Sequence, residues 1–148
     1  MVRYLFVANQ TLGGPALEEV VRARMKRERE GILGTEAEFH IVVPATAPED
    51  QHTPSEGEAR VIAAGRLEQA LERLRSVGAQ VTGEVGAEDP VQAISEAFGG
   101  QRGIESGYVE IIISTLPRGI SKWLRTDLPH QIERKFDLAV TTIESPAN

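Results

Sequence analysis

The chain has 148 residues, 41% of them hydrophobic and 26% charged, with a net charge of −6. That composition describes one domain with a sizeable core, and it excludes both a disordered chain and a multidomain one. The negative charge argues against nucleic-acid partners, whose phosphates need a basic surface, and the absence of cysteine excludes disulfides, thiolate metal sites and cysteine nucleophiles.

Residues 4–9 open the fold as a strand. The run Tyr4, Leu5, Phe6, Val7, Ala8 does not alternate with polar residues, which suits a parallel strand covered on both faces. The same start lacks the pattern of a signal peptide, and no apolar run approaches the roughly 20 residues of a membrane span. The expectation is a cytoplasmic protein with no membrane partner. A first helix is predicted to follow Gly13 and Gly14, with Pro15 at its first position, Leu17, Val20, Val21 and Met25 on its buried side, and Gly31 and Gly34 closing it.

A second strand is expected over 39–44, with Ile41, Val42 and Val43 at its centre, followed by a Pro-rich, acidic connection over 45–53 placed to act as a lid. The second helix opens on Ser55 and Glu58 in capping-box spacing, carries Ile62, Leu67, Leu71 and Leu74, and stops at Gly78. Residues 80–85 alternate more, as a strand at or near a sheet edge does. Asp89 and Pro90 announce a third helix, with Gln92 three after the cap, Val91, Ile94 and Phe98 buried, and Gly99 and Gly100 at its end.

The glycine-rich stretch 99–107 reads as a mobile surface connection, and 109–114 as the fourth strand. Ile120, Trp123, Leu124, Leu128 and Ile132 then share one helical face, but Pro129 cannot donate to the carbonyl of Arg125, so two helical pieces are expected. Thr126 or Asp127 would cap the second piece, with Pro129 in its first turn and Trp123 packed beneath. The apolar last strand, 138–143, is expected at a sheet edge, where it invites a homodimer. Alternating strands and helices with right-handed crossovers give an α/β class: a single-domain, Rossmann-like open parallel sheet of five strands with helices on both faces.

Neither G-x-G-x-x-G after the first strand nor G-x-x-x-x-G-K-[ST] occurs, which argues against Rossmann dinucleotide and P-loop chemistry. In an open parallel sheet, ligands bind at the carboxyl ends of the strands. Those ends carry Asn9, Gln10 and Thr11, then Val43, then Ser114 and Thr115, residues that also suit plain turns. Beyond them Arg118, Gly119, Ser121, Lys122, Arg125 and Thr126 form a basic stretch without an acid. If 119–125 is helical, Arg118 and Lys122 share a face beside a helix N-terminus, which makes an anion site. His40 reads as a partly buried packing residue, and no two of His40, His52 and His130 share metal-ligand spacing.

The segment from Gly119 through Ile120, Ser121, Lys122, Trp123, Leu124, Arg125, Thr126 and Asp127 to Leu128, followed by a helix and a final strand, resembles the C-terminal signature of the universal stress protein family. Asp89 and Pro90 resemble that family's G-[DE]-P turn, and the order of elements agrees over almost the full length. The resemblance implies strand order 3-2-1-4-5, adenine nucleotide binding in some members, and homodimers. It also implies a phosphate loop of pattern G-x-x-G, nine residues, then G-[ST]. Here its glycines fall on Ser114, on Leu116 or Pro117, and on Thr126, and its [ST] position on Asp127. The family's adenine-recognising Asp aligns with Asn9 or Gln10. Without glycine the backbone cannot approach phosphates closely. The sequence therefore points to a universal-stress-like binding or regulatory module of the stress response, not an enzyme. ATP binding is expected to be weak or lost, with ATP, AMP or phosphate as the candidate ligands and a residual site for a small anion. A retained ATP module that uses side chains, an enzyme acting on a nucleotide or phosphoester, and an interaction protein without a ligand are the alternatives.

Overall fold

A computed structural model describes residues 1–45, 56–119 and 121–146. Its strands are β1 (Val2–Val7), β2 (Ala37–Pro44), β3 (Gln80–Gly86), β4 (Glu110–Thr115) and β5 (Ala139–Glu144). Its helices are α1 (Pro15–Glu30), α2 (Glu56–Ser76), α3 (Pro90–Ala97), α4 (Lys122–Arg125) and α5 (Leu128–Phe136). All five strands are parallel, in the order β3-β2-β1-β4-β5, as the resemblance implied. The predicted edge position of the third strand is observed, and β5 forms the other edge.

Alternate residues of a strand face opposite sides, and the two cores follow from that period. Tyr4, Phe6, Phe39, Ile41 and Ile112 pack against Leu17 and Val21 of α1 and Ala63, Leu67 and Leu74 of α2. Leu5, Val7, Val42, Ile111 and Ile113 pack against Ile94 of α3, Phe98, and Leu128, Ile132 and Phe136 of α5. With helices on both faces the central strands need apolar side chains throughout, which is why they read as unbroken apolar runs. Gly86 ends β3 where α3 comes closest: a Cβ there would stand 2.9 Å from that of Ala93.

Most helix ends follow their local signals. Pro15 starts α1, Gly78 follows α2 with φ +91°, and Gly99 and Gly100 follow α3 with φ +60° and +80°. Asp89 accepts from the Val91 amide at 3.2 Å, but Gln92 does not complete the capping box. Its amide instead bonds Glu96 one turn ahead, at 3.1 Å. The predicted Ser55 cap and most of the 45–53 connection lie outside the described residues.

One other expectation needs correction, and one connection gains detail. The 99–107 connection holds a single 3-10 turn, Gly103–Ser106, in which the Ser106 hydroxyl donates to the Gly103 carbonyl and accepts from the Tyr108 amide. The last helical region does split around Asp127, with Pro129 in the first turn of α5, but neither expected side chain caps it. Asp127 sits at the cap position with φ 55°, a left-handed backbone that turns its carboxylate to His130 Nδ1 at 2.7 Å. The Thr126 hydroxyl bonds backward to the Lys122 carbonyl of α4. Trp123 packs against the second core, as expected.

Candidate functional site

The strand order places β1 between β2 and β4, so connections leave β1 and β4 toward opposite directions along the sheet. The crevice of such a fold lies there, at the carboxyl ends. On its β1 side Asn9 is buried, with 5% of its surface exposed. Its Nδ2 donates to the Pro44 carbonyl at 2.9 Å, which fixes the amide and points Oδ1 toward α2. There Arg66 Nη1 donates to Oδ1 at 3.0 Å. One helical face further along, Arg73 donates to the carbonyls of Leu12 and Gly13 at 2.5 and 3.1 Å. Two α2 arginines thus clasp the loop that follows β1, and neither was among the residues the sequence singled out.

On the β4 side the hydroxyls pair with one another. Thr11 and Ser114 meet at 2.6 Å between their oxygens, and Thr115 and Ser121 at 2.5 Å. Ser121 Oγ also accepts from the Leu124 amide and so caps α4. All four side chains are buried, and Ser145 adds a bond from its amide to the Thr115 carbonyl. Small alcohols carry one donor each, so these pairs leave little for a ligand without exchange.

The basic stretch is arranged differently from the expectation. Helix α4 spans only Lys122–Arg125, so Arg118 lies in the loop before the helix and not within it. The Arg118 amide donates to Glu144 of β5. Glu144 pairs with Thr115 in the strand register, which brings its carboxylate to the Arg118 amide. Arg118, Lys122 and Thr126 are exposed, Gln10 is half-buried, and Gly119 has φ +105° with open space where a Cβ would be. Val43 belongs to the first core and is fully buried.

A loop that wraps a triphosphate makes specific demands on the backbone. Such a loop needs free backbone amides and close approach, whereas here hydroxyl pairs close the loop and Glu144 takes the Arg118 amide. The Asn9 amide, which with Gln10 was one of two residues aligned with the family's base-recognising Asp, donates to Pro44 through Nδ2 and accepts from Arg66 through Oδ1.

Polar groups elsewhere have structural partners. Beneath α1, the buried Glu110 carboxylate receives Arg24, Arg27 and the Thr141 hydroxyl. Burial pushes its pKa up, but the bonds from Arg24 and Thr141 and the charges of Arg24 and Arg27 outweigh that, holding it below the usual carboxylate value. Tyr4 shares Arg27 and Glu28, and burial followed by the Glu28 bond pushes its phenol up. His40 bonds Thr82 Oγ1 at 2.7 Å and Glu84 at 2.9 Å, a hydroxyl, imidazole and carboxylate in line on the outer face of β2 and β3. Thr82 and Glu84 are exposed side chains of an edge strand, so this is a surface ladder of cross-strand bonds. Among the described residues no cluster of three His, Asp or Glu side chains is placed to hold a metal ion.

Five parallel strands with a switch point at β1 and β4 define an open α/β module of the kind that binds ligands at its carboxyl edge. Its fold is that of the universal stress proteins. The structure of the universal stress protein from Archaeoglobus fulgidus matches 97% of this chain and 94% of that one, with a TM-score of 0.59 and 17% sequence identity. No family model matches the chain, and no curated protein does.

Proposed function

We propose that this chain is a non-enzymatic, universal-stress-type module of the stress response, in which ATP binding is weak or lost and a small anion is held at the carboxyl edge of the sheet. The observation that carries this reading is the closure of the would-be phosphate loop by the pairs Thr11 with Ser114 and Thr115 with Ser121. Binding a triphosphate would require breaking those bonds and moving Glu144 from the Arg118 amide. Losing even two charge-assisted donors costs about 3–6 kcal/mol, two to four orders of magnitude in affinity.

Cationic Arg118 and Lys122 on one wall and Arg66 on the other keep the edge attractive to a compact anion, whose geometry is less demanding. The module works in the cytoplasm as a homodimer through β5, an edge strand whose only charged residue is Glu144. No helix among the described residues is long and apolar enough to cross a membrane.

The test is a denaturation-midpoint screen against ATP, ADP, AMP and inorganic phosphate, with analysis of products. Stabilisation by phosphate without turnover is expected. Micromolar stabilisation by ATP would return the chain to the nucleotide-binding modules, and turnover would make it an enzyme.

A further inference from the structure

Arg66 stands on the inward side of α2 beside buried Ala63, Leu67 and Ala70, and it is itself half-buried. A guanidinium has five donors, and the bond to Asn9 uses one. Arg24 meets Glu110 and Arg3 meets Glu38, whereas Arg73, on the same helix as Arg66, donates to the carbonyls of Leu12 and Gly13. Arg66 meets a neutral amide instead. Among the described residues no carboxylate forms an ion pair with it. A partly desolvated cation with a neutral partner keeps its attraction for an anion, and less of that attraction is screened than at an exposed site.

We propose that Arg66, oriented by Asn9, is the principal receptor for a compact oxyanion, inorganic phosphate or the terminal group of a phosphomonoester, at the carboxyl ends of β1 and β2. This rests on the reading of the carboxyl edge as a small-anion site and moves its centre from the β4 wall to the β1 wall. Three features favour that wall. The remaining donors of a guanidinium form a planar fork that matches an oxyanion. Both ends of the Asn9 amide are already engaged, Nδ2 by the Pro44 carbonyl and Oδ1 by Arg66, which holds it in one orientation. On the opposite wall the Glu144 carboxylate already occupies the Arg118 amide. Asparagine at position 9 holds the guanidinium without neutralising it, which an aspartate would do.

The test is calorimetric titration with inorganic phosphate and with AMP, on the parent, on Arg66→Gln, on Asn9→Asp and on Arg118→Ala combined with Lys122→Ala. Arg66→Gln is expected to lower phosphate affinity about tenfold or more. Asn9→Asp is expected to do the same by supplying an internal carboxylate, and it keeps the proposal open to refutation if Arg66→Gln does not fold. Equal affinities for phosphate and AMP identify the free oxyanion as sufficient, and tighter AMP binding identifies the monoester. Affinity unchanged in both single variants, or a parent that does not bind phosphate, overturns the proposal. Loss of binding only in the double variant overturns it too, but leaves the small-anion module standing on the β4 wall. Micromolar ATP binding by the parent instead removes the proposed function.

Discussion

Arg24 grips Glu110 with two parallel bonds, Nε to one carboxylate oxygen and Nη2 to the other, each at 3.0 Å. The pair joins α1 to β4 on one face of the sheet, and the Thr141 hydroxyl ties in β5. Both partners are largely buried, with side-chain exposures of 17% and 10%.

Glu110→Gln would leave Arg24 as a buried cation with a weaker partner, and the expected loss of stability is about 3 kcal/mol. Because the folded-state pKa of Glu110 is lowered, its contribution is present in full above the unfolded carboxylate pKa and is lost as pH falls through the folded value. Denaturant melts should therefore show the difference between parent and Glu110→Gln at neutral pH and a narrowing gap as the medium becomes strongly acidic. A gap that is constant with pH would show that the ion pair does not contribute to acid sensitivity.

Gly86→Ala tests close packing at the end of β3. The new methyl would lie 2.9 Å from the Ala93 Cβ and 3.3 Å from Val42 Cγ1, and neither Ala93 nor the strand can yield by a rotamer change alone. A cost of about 1–3 kcal/mol is expected from overpacking. Combining it with Ala93→Gly should recover part of that loss by removing the facing Cβ. If the double variant were no better than the sum of the singles, the clash would have to lie elsewhere.

Ser121→Ala removes two functions of one oxygen: the cap on the Leu124 amide and the partner of Thr115. A lost cap costs about 1 kcal/mol and a buried hydroxyl left unpaired about 1–3 kcal/mol more. Thr115→Val in the same background should offset the second part, because it removes the orphaned hydroxyl in a shape close to threonine. A Thr115→Val, Ser121→Ala double variant as unstable as Ser121→Ala alone would show that the hydroxyl pair carries no coupling.

Much of the fold was legible because its signals are local. Pro15 behind two glycines, Asp89 before Pro90, and Pro129 inside an apolar stripe each act through backbone geometry within a few residues, and each marks an observed boundary. The candidate site was less legible because its decisive contacts are distant in sequence. Arg66 and Asn9 are separated by 57 positions, and Thr11 and Ser114 by 103. The arginine pair on α2 did leave a signal, since residues 66 and 73 stand two turns apart on the side of buried Leu67 and Leu74. Val43 also stands near a strand end. That place suggested the crevice, and the two-residue period of β2 sends its side chain with Phe39 and Ile41 into the first core. Asp127 was misread because an Asp before a helix normally caps it from an extended backbone, whereas a left-handed one leaves the carboxylate beside His130.

The last prediction concerns assembly. A parallel sheet has two edges, here β3 and β5, and each presents unpaired backbone groups to a second copy. β3 carries Glu84, exposed and bonded to His40, and Gly83 within the strand, features that weaken edge pairing. β5 is Ala139, Val140, Thr141, Thr142, Ile143 and Glu144, β-branched at four consecutive positions and charged only at its end. Thr142 is exposed, and Val140 is only partly covered by the second core. The expected result is a dimer by light scattering at tens of micromolar, joined through β5. Thr142→Lys places a charge on that edge and should shift the protein toward monomer with an unchanged circular-dichroism spectrum. A matching Thr82→Lys on β3 should leave the dimer intact. A parent that is monomeric at this concentration removes the β5 interface, and a dimer that survives Thr142→Lys but not Thr82→Lys would move the contact to the opposite edge.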